Sequence, residues 1–212
     1  MQYAYLHGFA SGPLSKKGQR LRDALDVNLR LPDLNAPSFA ELSLAAMLER
    51  LDALDAEVGD DDGWALIGSS LGGWLTARWS QRRPDRVARA LLLCPAFDIA
   101  GRWPAILPDG AMERWRAGSL MLPDGSGALT RLHYGFYEES QAQPAFPVIA
   151  CPTRIVHGTR DESVPVDSSR RYAAAHDHVS LVEVDDAHDL LASMDVIERE
   201  ARALTRGPSG SP

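Results

Sequence analysis

A serine on a glycine-flanked turn, a histidine and an aspartate in this 212-residue chain could together form an oxygen nucleophile. Gly68-Ser69-Ser70-Leu71-Gly72 fits G-x-S-x-G, a turn that lifts a serine hydroxyl above a sheet between a strand and a helix. Both glycines are required because the turn packs neighbouring backbone too closely for a Cβ. Register selects Ser70, since Ser69 would need glycine where Ile67 stands. The apolar run Trp64–Ile67 before the motif and the helical pattern Gly73–Trp79 after it supply the strand-turn-helix setting that the motif demands. Without that setting, Gly-Ser pairs are ordinary turns.

A serine hydroxyl is a weak nucleophile at neutral pH and needs a base within hydrogen-bond reach, oriented in turn by a third group. Of six histidines, His188 follows the last apolar run, on the edge where strand C-termini collect and where open α/β sheets place their sites. His7 and His157 each close a strand as His-Gly; they are secondary candidates for the base and more naturally brace a loop. Asp161 falls early in the loop after the fifth strand. The 27 residues from Asp161 to His188 hold one helix and one strand, a crossover that returns the chain to the adjacent loop. Asp98 is the alternative acid. The order Ser70, Asp161, His188 is the one expected of α/β-hydrolases.

A tetrahedral intermediate also needs donors aimed at its oxyanion. The expected pair is the backbone N–H of Leu71, directly after the nucleophile, and that of Phe9, in the loop His7-Gly8-Phe9-Ala10-Ser11-Gly12-Pro13 after the first strand. That loop has neither the G-x-x-x-x-G-K-[ST] nor the G-x-G-x-x-G spacing, which argues against a nucleotide site.

Positioning these groups requires a mostly parallel sheet. Six apolar runs, Gln2–Leu6, Val27–Leu31, Trp64–Gly68, Val87–Leu93, Thr153–His157 and Ser180–Val184, alternate with helical patterns. The expected architecture is therefore a six-stranded α/β-hydrolase fold with helices on both faces, one domain over residues 1–205. Leu44, Met47, Leu48, Leu51, Leu54 and Val58 predict a helix over Ser38–Glu57, with Ser38 and Glu41 as a capping box. Other helices are expected at Ser15–Asp26, Leu71–Arg83, Ser168–Ala175 and Leu190–Leu204. Residues 98–147 are too long for a plain crossover and read as a small cap, with helices near Ala111–Arg116 and Ala128–Tyr137, the alternative being a mobile surface excursion. Trp103, Trp115 and Phe136 in that segment are candidates for an apolar acyl pocket, or for the cap's own core. The tail 206–212, rich in Gly, Pro and Ser, is expected to be disordered.

Net charge is −7 with no sustained basic stretch, which disfavours nucleic acid as a partner. Cys94 and Cys151 are too few for a disulfide framework or a metal site, and fit reduced thiols in a cytoplasmic protein. No signal peptide is expected, because the N-terminus shows no positively charged leader, long apolar stretch or small-residue cleavage site, and no membrane span, because no apolar run approaches the ~20 residues that cross a bilayer. Oligomeric state is not encoded in any readable pattern.

Tyr5-Leu6-His7-Gly8-Phe9, followed by Ser11, Pro13, Ser15 and Lys16 or Lys17, together with Gly68-Ser69-Ser70-Leu71-Gly72-Gly73, resembles the small bacterial YqiA/YcfP-type esterases of the α/β-hydrolase superfamily. The cap segment and Asp186-Ala187-His188, where that group has Gly-Asn-His, depart from its pattern. The resemblance implies a cofactor-independent esterase or thioesterase acting on small-molecule acyl esters or thioesters, acyl-CoA among the candidates, through a Ser-Asp-His triad. Acyl transfer, C–C bond hydrolysis, perhydrolysis, or binding without turnover on the same fold stay open as alternatives.

Overall fold

A computed structural model describes residues 1–59 and 62–206. The expected residues 207–212 of the tail lie outside the described residues. Six strands form one sheet: β1 (Gln2–Leu6), β2 (Leu29–Arg30), β3 (Trp64–Ser69), β4 (Val87–Leu93), β7 (Thr153–Gly158) and β8 (Val179–Val184), in the order β2-β1-β3-β4-β7-β8. Every pairing in it is parallel. The apolar runs are continuous rather than alternating because both faces are covered. Ala4, Leu6, Leu66, Ala90 and Leu92 face one core, with Leu48 and Leu51 of α2 (Leu44–Ala56), Trp74 and Leu75 of α3 (Leu71–Arg82) and Tyr172 of α7 (Val166–Ala174). Their neighbours Tyr5, Ala65, Ile67, Leu91 and Leu93 face the other, with Leu21 of α1 (Lys16–Ala24) and Ile197 and Ala201 of α8 (Met194–Arg206). This two-sided burial supplies the hydrophobic driving force and holds the C-terminal strand ends on one rigid rim.

Two local expectations are corrected. The helix predicted from Ser38 begins at Leu44, with Ser43 as N-cap. Glu41 N–H does reach Ser38 Oγ at 3.3 Å, but as an isolated turn. The start is set from 95 residues away: Glu139 accepts from Leu44 N–H at 2.8 Å and Ala45 N–H at 2.5 Å. A carboxylate at a helix N-terminus satisfies orphan amides and opposes the helix dipole.

The cap also differs. It holds α4 (Ile99–Ile106) and α5 (Ala111–Ala117), then an antiparallel hairpin of β5 (Ser119–Pro123) and β6 (Leu129–His133), then α6 (Gly135–Gln141). The predicted helix Ala128–Tyr137 is thus a strand followed by a helix. Asp124-Gly125-Ser126-Gly127 closes the hairpin, with Gly127 at φ +85° and Asp124 Oδ1 accepting from Ser126 N–H at 2.8 Å. That turn chemistry is a hairpin signal in its own right.

Candidate active site

The chain reverses at Ser70 between β3 and α3, with φ 54° and ψ −116°, a conformation that a side chain rarely adopts. The turn persists because the packing around it leaves no alternative. A Cβ on Gly68 would strike the Gly72 carbonyl, and one on Gly72 the Leu6 carbonyl. Gly8 lies against Ser70, where an added Cβ would stand 3.2 Å from Ser70 Cβ.

Ser70 Oγ is 2.9 Å from His188 Nε2, and His188 Nδ1 is 2.6 Å from Asp161 Oδ2. The Asp161 carboxyl is fully buried, whereas His188 keeps 29% of its side-chain surface open. Burial pushes the Asp161 carboxyl up, but hydrogen bonds from His157 and His188 and the field of His188 outweigh it, and the group is held well below the usual carboxylate range. Asp161 therefore only accepts. The His188 proton then sits on Nδ1, and Nε2 offers its lone pair to the Ser70 hydroxyl.

Asp161 is held by more than the histidine. Its Oδ1 accepts from Ser163 N–H at 2.9 Å and Val164 N–H at 2.8 Å. His157 Nε2 stands 3.2 Å from Oδ2 and 2.9 Å from the Val164 carbonyl, while its Nδ1 is 2.7 Å from Ser169 Oγ. Two acceptors face Nε2, so Nε2 carries the proton and Nδ1 accepts from Ser169. His157 is thus a brace of the acid loop and does not reach Ser70.

His7 braces the opposite loop. It is 3% exposed, accepts from Leu34 N–H at 3.0 Å through Nε2, and donates through Nδ1 to the Gly8 carbonyl at 2.9 Å. In a planar trans peptide the N–H points opposite the C=O. Fixing the Gly8 carbonyl therefore fixes Phe9 N–H, the first expected oxyanion donor. The second, Leu71 N–H, opens α3, where the first turn has no intrahelical acceptor. Asp98, the alternative acid, instead sits at the start of α4 in the left-handed region.

A cavity of about 220 Å³ opens onto Ser70 and His188, walled mainly by Phe9, Ile99, Trp103, Ile106 and Val164, with Arg102 and Ser163 also on its lining. This corrects the expected pocket wall. Trp103 lines the cavity, while Trp115 and Phe136 are buried behind it as cap core. Trp115 packs on Trp103 with ring centroids 5.0 Å apart, and Phe136 stacks on Phe9 at 5.9 Å. Phe9 also meets Trp103 edge-on at 5.4 Å, so the cap clamps the loop that presents Phe9 N–H. Sequence reading missed that link because it depends on aromatic contacts between distant segments.

Cys94, His157 and Asp161 place potential ligand atoms within 4.8 Å of one another. They do not suit a cation: the His157 nitrogens and the Asp161 oxygens are taken by the hydrogen bonds above. Burial also pushes the Cys94 thiol far up, against its conversion to thiolate.

A sequence model of the uncharacterised protein family UPF0227 matches residues 2–202. Over 114 residues the chain is 31% identical to mouse palmitoyl-protein thioesterase ABHD10, mitochondrial, an alignment covering 51% of this chain and 38% of the mouse protein. The chain thus spans well under half the length of that relative. It is 26% identical to the pimeloyl-[acyl-carrier protein] methyl ester esterase of Chromobacterium violaceum, over 86% of this chain and 84% of that protein. Among solved structures, alpha/beta hydrolase domain-containing protein 10 from mouse superposes with a TM-score of 0.79 at 22% identity, covering 98% of this chain and 90% of that one. Est1E from Butyrivibrio proteoclasticus with ferulic acid bound does so at 0.74 and 16%, covering 97% and 88%. The fold is that of the α/β-hydrolases.

Proposed function

This chain belongs to the uncharacterised protein family UPF0227, and on that footing we propose that it is a serine hydrolase cleaving carboxylic esters or thioesters of small to medium acyl groups. Ser70 attacks the acyl carbonyl as His188 Nε2 takes its proton, and Asp161 holds the imidazole in the required tautomer and stabilises the imidazolium that forms. Phe9 and Leu71 N–H groups receive the developing oxyanion. Collapse breaks the bond to the leaving group, which departs with the proton from His188. Water, activated by the same histidine, then cleaves the acyl-enzyme.

The observation that carries this reading is the continuous relay from Asp161 through His188 to Ser70, at 2.6 and 2.9 Å, facing a cavity. Apolar walls at Ile99, Trp103 and Ile106 suit an acyl chain, and about 220 Å³ suits a short one. The mouse thioesterase and the bacterial methyl ester esterase named above bear on the substrate class only by likeness. Among the described residues no helix is long and apolar enough to cross a membrane. The buried free thiols of Cys94 and Cys151 fit a reducing compartment such as the cytoplasm.

A fluorophosphonate adduct mapped by mass spectrometry, alongside p-nitrophenyl esters of increasing chain length, tests the proposal. Labelling at Ser70 and loss of turnover in Ser70→Ala are expected. An unlabelled Ser70, with Ser70→Ala retaining full activity, overturns it.

A further inference from the structure

A second cleft, of about 280 Å³, shares Phe9, Ser70 and His188 with the first cavity and adds two lysines. Its remaining lining includes Ser11, Ser15, Lys16, Lys17 and Asp189. Lys16 and Lys17 are the only two lysines in the chain, against 20 arginines. Arginines elsewhere pair with carboxylates, as Arg20 does with Glu198, Arg86 with Asp55 and Arg170 with Glu183. Among the described residues neither lysine makes such a pair. Lys17 Nζ donates to the Asp189 carbonyl at 2.7 Å, which leaves two of its three N–H donors for other acceptors.

The placement also runs against local electrostatics. Both lysines stand in the first turn of α1, a turn with no acidic residue, where the helix dipole already disfavours cations. Burial lowers the Lys17 ammonium from its usual range, opposed by the Asp189, Asp161 and Asp186 carboxylates. A charge kept under these conditions gains most from an anion brought into the cleft.

We propose that this cleft is an anion subsite for the leaving group, with Lys16 and Lys17 holding a phosphate or carboxylate a few bonds from the scissile oxygen of the ester. The inference rests on Ser70 being the acylated nucleophile. The acyl chain takes the cavity walled by Ile99, Trp103 and Ile106, so the lysine-bearing cleft is left for the alcohol, which must return to water after acylation. Because the cleft touches both Ser70 and the lysines, the anion has to lie close to the carbonyl; a long carrier with remote charges does not meet that condition. The bond from Ser70 Oγ to the acyl carbon forms as the bond from that carbon to the leaving oxygen breaks. His188 returns the serine proton to that oxygen, and the alcohol leaves with its anion still paired.

The test compares kcat/KM for three butyrate esters: 1-butyrylglycerol, 1-butyrylglycerol 3-phosphate and 4-butyryloxybutanoate. The phosphate and carboxylate arms distinguish which anion is preferred. The expected result is a roughly tenfold preference for at least one anionic ester, the scale of a charge-assisted hydrogen bond. Lys16→Glu and Lys17→Gln should each reduce that ratio, and Lys16→Arg should restore most of it. The ratio within each variant is the readout, because Lys17 also tethers the Asp189 carbonyl beside His188 and its loss can alter absolute rates. A wild-type ratio at or below one, or a ratio unchanged in both variants, overturns the subsite while Ser70-dependent cleavage of the neutral ester leaves the hydrolase reading intact. If no ester is cleaved and Ser70 takes no fluorophosphonate, both fall together.

Discussion

His157 Nε2 lies 3.2 Å from Asp161 Oδ2, one helical turn's spacing along the chain, with neither side chain exposed to solvent. On the proposed reading the contact makes His157 a positioning residue: it holds Asp161, which in turn holds His188. A donor removed here leaves a buried carboxylate under-satisfied, which costs more than the hydrogen bond itself gains.

His157→Phe is therefore expected to lower kcat by roughly tenfold or more, from the loss of a charged hydrogen bond, with a smaller change in KM. Losing that donor lets the Asp161 carboxyl rise. Asp161 is depressed in the folded protein, so its contribution is present above the unfolded pKa of about 3.9 and lost as pH falls through the folded value. In the variant that loss of stability should begin at a higher pH, read from the melting temperature as the solution is acidified. His157→Gln, which can still donate, should recover part of both; a melting-temperature profile in acid identical to that of the wild type would contradict the positioning role.

His7 predicts a pH dependence of stability. Burial lowers its pKa from 6.5, against the hydrogen bond to the Gly8 carbonyl and the nearby Asp33 carboxylate. Below 6.5 the unfolded chain takes up a proton that the folded protein refuses, so stability falls as pH drops towards the folded value and is level above 6.5. His7→Gln should show a smaller fall in melting temperature between pH 7.5 and 5.5, and a lower kcat at pH 7.5 because the Gly8 carbonyl, and with it Phe9 N–H, is less firmly held. Equal melting-temperature falls in the two proteins would count against a neutral His7.

Gly8 and Gly72 separate function from folding. In Gly8→Ala the new Cβ would stand 3.2 Å from Ser70 Cβ and 3.3 Å from the Ser69 carbonyl, so the neighbours need give only a few tenths of an ångström. The protein should fold, with kcat reduced by roughly ten- to a hundredfold because displaced reacting groups are costly. Gly72→Ala meets the Leu6 and His7 carbonyls, backbone that cannot yield. It should destabilise by about 3 kcal/mol or more, as overpacking and strain do. Chemical denaturation of both variants checks the contrast.

Trp103 closes the apolar cavity, packed between Phe9 and Trp115. Trp103→Ala should shift the preferred acyl chain to a longer one. It should also cost about 3–5 kcal/mol of stability, since a large buried aromatic is removed. A chain-length profile identical to that of the wild type would place the acyl group elsewhere.

Taken alone, the sequence determined the strands and the loops that follow them. Apolar runs such as Val87–Leu93 and Trp64–Ile67, and glycines that no other residue can replace in the Ser70 turn, report local geometry directly. Ser70, Asp161 and His188 were legible as candidates because each falls just past a strand whose direction the parallel alternation sets. Tertiary structure alone decided what depends on distant partners. Glu139 moved the start of α2 to Leu44; Phe9 joined the oxyanion loop to the cap; Trp115 and Phe136 went to the core, not the cavity; and Lys16 and Lys17 came to line a cleft beside Ser70. The reason is physical: periodicity and turn chemistry act over a few neighbouring residues, whereas capping by a remote carboxylate, aromatic packing and cleft formation are contacts between segments that only folding brings together.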